Sequence, residues 1–69
     1  MANREVVRTY LIEELKDSTR GQFNLKDMSN NTGLEMDDLM LALKQLVTDK
    51  VISIFDLQDA NDVVIELLL

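Results

Sequence analysis

Residues 24–52 read NLKDMSNNTGLEMDDLMLALKQLVTDKVI, and this stretch decides the fold. Asn24 followed by Leu25-Lys26-Asp27 has the form of a helix N-cap with an acid at the third helical position, a variant of the capping box. A short helix is predicted from Leu25 to about Asn31. Asn31-Thr32-Gly33 closes it, because Gly33 can take the left-handed conformation of a helix end. A longer helix is predicted from Met36 to Lys50. Its residues Met36, Leu39, Met40, Leu43, Leu46 and Val47 fall within an arc of roughly 120° at the helical period. Asp37, Asp38, Lys44, Gln45, Thr48 and Asp49 fill most of the other side, and Leu41 stands among them, apart from the core face.

Upstream, residues 3–17 predict a first helix with Asn3 as its N-cap and no Gly or Pro from Arg4 to Asp17. Val7, Leu11 and Leu15 centre its apolar face, with Tyr10 beside them. Val6 and Ile12 widen that face to roughly 240°, more than a helix on a one-sided core needs. Such a helix is either covered on two sides or meets another chain. Ser18-Thr19-Arg20-Gly21 reads as a break, and Gln22-Phe23-Asn24 as a short extended stub. Downstream, residues 51–57 are rich in β-formers, and Gln58 to Asp62 make a polar connection of hairpin length. Val63 to Leu69 reads as the returning strand. That strand is apolar on both faces, and as a solvent-facing edge it would be prone to aggregate unless covered.

Helix, extended stub, short helix, glycine turn, longer helix, hairpin: this order resembles the winged helix-turn-helix superfamily over nearly the whole chain. The resemblance rests on Leu25-Lys26-Asp27-Met28 leading into Thr32-Gly33-Leu34, then on Leu39, Leu43, Leu46 and Val47, with Val51-Ile52 directly after. It implies an α+β fold, a winged helix-turn-helix of three helices with a C-terminal β-hairpin wing, occupying residues 1–69 as one domain. The pattern is shared by many unrelated proteins and marks a fold, not a particular protein.

Composition narrows the chemistry. The 69 residues include no cysteine and no histidine, so disulfides, thiolate sites and the usual zinc and haem ligands are excluded. The same absence removes most nucleophile and base arrangements. The paired acids Glu13-Glu14 and Asp37-Asp38 diverge by about 100° on a helix and do not face each other. Asp56, Asp59, Asn61 and Asp62 offer oxygen ligands but lack the alternation, glycine and terminal glutamate of an EF-hand loop, and read better as a hairpin turn. With Gly21 and Gly33 as the only glycines, there is no phosphate-cradling loop. The expectation is therefore a protein without catalytic residues, cofactor or metal. No apolar run reaches the ~18–20 residues of a membrane span, and no secretory h-region is visible, so a cytoplasmic protein is expected.

Charge bears on partners. The formal net charge is −6, and it is unevenly laid out. Arg4, Arg8, Lys16 and Arg20 balance Glu5, Glu13, Glu14 and Asp17 in the first part of the chain, whereas no Lys or Arg follows Lys50. In winged-helix domains the third helix and the wing often contact DNA. Here Glu35, Asp37 and Asp38 begin that helix, and Asp56, Asp59 and Asp62 surround the wing, where cation–phosphate contacts would be needed. The residues therefore point to a small acidic regulatory or adaptor protein that acts through protein–protein contacts with a basic partner surface. The contact residues expected are Glu35, Asp37, Asp38, Leu41, Lys44, Gln45, Asp59 and Asp62. A sharper variant presents these carboxylates in place of nucleic-acid phosphates. The alternative is a dimeric DNA-binding transcriptional regulator using Arg4, Arg8, Lys16 and Arg20, which otherwise pair with neighbouring acids on a solvated face. A homodimer is expected from the short chain, the wide first-helix face, Leu41 and the apolar last strand.

Overall fold

Three helices and three strands follow one another as α1 (Asn3–Glu14), β1 (Arg20–Asn24), α2 (Leu25–Thr32), α3 (Met36–Thr48), β2 (Ile52–Asp56) and β3 (Asp62–Leu67) in the computed structural model, which describes residues 2–56 and 62–68. The strands form one antiparallel sheet, so the fold is a small α+β arrangement. Among the described residues, no helix is long and apolar enough to cross a membrane.

The first helix is shorter than its periodicity predicts. It stops at Glu14, with Leu15 leaving the helix at φ −108 and ψ 20, and its N-cap is Ala2 rather than Asn3. The reason for the early stop is packing against the next strand. Leu15 is buried beside Gly21, where an added Cβ would lie 2.8 Å from the Leu15 Cδ2 atom. Gly21 is thus a point of close approach inside β1, opposite Ile65, and Arg20-Gly21 belong to the strand instead of breaking the chain.

The turn chemistry around α2 forms as its residue types predict. The Asn24 side chain accepts the Asp27 backbone N–H at 3.1 Å, satisfying one of the orphan donors of the first turn, an interaction that contributes about 1 kcal/mol. Gly33 closes the helix at φ 74. The Ser29 hydroxyl donates to the Leu34 carbonyl, and the Thr32 hydroxyl donates to the Met28 carbonyl at 2.7 Å. These bonds hold the turn that sets the direction of α3. That helix ends at Thr48, short of Lys50, in a Schellman pattern: the Val51 N–H reaches the Leu46 carbonyl and the Lys50 N–H the Val47 carbonyl, both at 3.0 Å.

The sheet order is β1-β3-β2. β3 is therefore the central strand and not an exposed edge, so the condition under which its composition would invite aggregation is not met. Phe23 pairs with Val63 on one side and Phe55 with Val64 on the other, so both sides of β3 are hydrogen-bonded within the same chain. β-branched residues suit a strand flanked by neighbours on both sides, where even outer-face side chains pack against cross-strand partners, and the valine and isoleucine run fits that place. Val63 and Ile65 face inward and are buried, while Val64 and Glu66 on the outer face are half-buried. The core draws on every element, with Leu11, Phe23, Met28, Leu43, Ile52 and Ile65 in one apolar cluster. No polar or charged side chain is buried among the described residues.

Candidate functional site

α3 positions most of the residues that the sequence singles out. Its first turn follows Glu35, an extended N-cap that makes no side-chain cap bond, so the adjacent Asp37 and Asp38 serve the helix dipole instead. Leu39, Ala42, Leu43 and Leu46 are buried and anchor the helix to α1, α2 and the sheet. The small side chain of Ala42 lies where the first turn of α1 meets α3, in a shallow cleft also lined by Arg4, Asp38, Leu41 and Gln45. Arg4 reaches across this junction to the far end of the helix, donating from Nη1 to the Asp49 carboxylate at 3.0 Å.

The solvent face of α3 differs from the expected one. Met36, Met40 and Val47, assigned to the core arc by periodicity, are substantially exposed, Met40 at 46%. Ala42 carries the signal that corrects this: counted as apolar, it rotates the buried face towards Leu39 and Leu46, leaving Met40 and Val47 at its margin. Leu41 is outside the core as expected, at 56% exposure. Between α3 and β2 lies a groove of about 460 Å³ lined by Met40, Leu41, Leu43, Lys44, Val47 and Ile54. Its walls are apolar apart from Lys44. Leu41 lines both this groove and the cleft against α1, and so forms the ridge between them.

The expected contact residues divide into two groups. Glu35, Asp37, Asp38, Leu41, Lys44 and Gln45 are all exposed on or just before α3, and they share one helix surface. Asp62 is elsewhere. It opens β3, is half-buried, and accepts a hydrogen bond from Asn24 Nδ2 at 2.9 Å, which ties the start of β3 to the end of β1 and the cap of α2. A structural clamp is a sufficient account of that carboxylate. Asp59 lies outside the described residues.

The four basic residues differ in setting. Arg4 is engaged with Asp49, an acid of α3's end rather than a neighbour on its own helix. Arg8 is half-buried on α1, and Lys16 is exposed beyond the end of that helix. Arg20 lies on the outer face of the sheet, opposite Glu66, with its guanidinium carbon 5.2 Å from the centre of the Phe55 ring. That distance is within cation–π range, so Arg20 covers apolar surface as well as carrying charge.

No protein-family model matches the sequence, and no curated protein matches it.

Proposed function

We propose that the chain is a winged-helix domain that works as a regulatory or adaptor module through protein–protein contact and carries out no catalysis. The element order α1-β1-α2-α3-β2-β3 with the β1-β3-β2 sheet supports the winged-helix reading, since it puts an exposed third helix beside an antiparallel strand pair. One observation carries the functional reading. The exposed face of α3, on which such folds present DNA-reading side chains, here combines Glu35, Asp37 and Asp38 with the apolar Met40 and Leu41 beside an apolar groove. A face of that kind repels phosphates and loses free energy by staying wet, whereas protein surfaces offer both cations and apolar area. Mimicry of nucleic-acid charge towards a basic partner is the more specific form of the same reading.

Fluorescence anisotropy with a labelled random-sequence duplex tests the proposal. The expected outcome is no binding at micromolar protein in about 50 mM salt, because steep salt-sensitive binding requires several cation–phosphate contacts. Micromolar binding that fades as salt rises would overturn the protein-contact reading. The first helix is then the route if Arg4→Ala with Arg8→Ala abolishes it.

A further inference from the structure

We infer that the exposed face of α3 takes a second copy of itself, the two helices lying antiparallel across a two-fold axis that passes between Met40 and Leu41. The inference rests on the protein-contact reading of this helix and names its occupant. The argument is one of charge complementarity. Asp37 and Lys44 are separated by about two helical turns, roughly 10.5 Å along the axis, and at about 100° per residue they project in nearly the same direction. Both are exposed. Between them, on either side of that line, stand Met40 and Leu41, exposed at 46% and 56%. The spacing is symmetric: Asp37 lies three residues before Met40 and Lys44 three after Leu41.

A two-fold axis through the middle of this stretch brings Asp37 of each copy against Lys44 of the other. Met40 then meets Met40, and Leu41 meets Leu41. Such self-complementarity is what an isologous contact requires. A uniformly basic partner would satisfy Asp37 and be repelled by Lys44, so on this line it is disfavoured and is left to Glu35 and Asp38 at the rim, while a phosphate backbone would be repelled by Asp37. A second copy satisfies both charges at once while covering the two exposed apolar side chains. Glu35 and Asp38 stay at the rim, so the dimer displays them twice. The apolar last strand is not available for this purpose, because β1 and β2 already occupy both its sides.

Sedimentation velocity on the full chain, from about 5 µM to about 500 µM in low salt, tests the inference. One helix pair covers less than the roughly 1,200 Å² of a standard interface, so a dimer with a Kd on the order of 10–100 µM is expected. Asp37→Lys or Lys44→Asp alone sets like charges opposite each other twice per dimer and should raise the Kd by about tenfold or more. The combined exchange should return it to within about threefold. Leu41→Gln changes an exposed position and so tests the apolar centre without threatening the fold, and it too should weaken the dimer by about tenfold. Circular dichroism on each variant establishes that it is folded. A wild-type monomer across the whole range overturns the self-pairing, as does a dimer indifferent to Leu41→Gln and to the single reversals. Titrating labelled duplex into the same samples separates the two readings. A monomer that ignores DNA sinks the self-pairing alone, while salt-sensitive DNA binding sinks the reading on which it stands.

Discussion

Among the described residues, Lys50 is the non-glycine residue with a positive φ. It sits at φ 62, in the left-handed region, just past the end of α3, where two backbone bonds to Leu46 and Val47 require that geometry. A side chain with a Cβ holds such a position at a cost of about 1 kcal/mol, which glycine avoids. Lys50→Gly should therefore stabilise the fold by about 0.5–1 kcal/mol, read as a rise of several degrees in the thermal midpoint. A fall in the midpoint would mean that the lysine side chain contributes more than its strain removes. Local turn signals were legible wherever the residue type announces the conformation, as at Asn24 and Gly33. They were silent at Lys50, because lysine is an ordinary helix residue and nothing in Thr48-Asp49-Lys50 marks a stop.

Among the elements, β3 holds the sheet together. Ile65 is fully buried at its centre and is paired on both sides, to Gly21 and Ile54, whereas Leu68 lies just beyond the strand and is exposed at 48%. Ile65→Ala should cost about 2–4 kcal/mol by removing buried methyl groups, and Leu68→Ala less than about 0.5 kcal/mol, both measured by urea denaturation. Equal effects at the two positions would contradict the burial of Ile65 beneath the sheet. The strand order was beyond the reach of the sequence alone. Period-two patterning tells which face of a strand is inward but not which neighbours it has, so the apolar β3 reads equally well as an exposed edge or a covered centre. The α3 face was partly legible for a related reason. Its acids and Leu41 were placed correctly outside the core, but the helical period could not decide how far the buried arc turns towards Ala42.

At the scale of the whole molecule, electrostatics oppose the fold more than they support it. The chain carries a net charge of −6, and the one ion pair among the described residues, Arg4 with Asp49, has both side chains nearly half exposed. Exposed pairs of this kind contribute little, while like-charge repulsion acts over the entire surface and is screened by salt. The thermal midpoint should therefore rise between about 20 mM and about 300 mM sodium chloride. A midpoint that falls would indicate that attractive pairs dominate. The reversal of charge on α3 was visible in the sequence. Its self-complementary arrangement was not, because it depends on Met40 being outside the core. The central place of β3 also governs how the chain reaches this state. β1 and β2 do not pair with each other: β2 and β3 are near in sequence and pair locally, whereas the β1–β3 ladder closes only when Asn24 finds Asp62 across 38 residues. Until β3 has been synthesised, β1 has no strand to join, so completing the sheet waits on a long-range loop closure that the β2–β3 pair does not need.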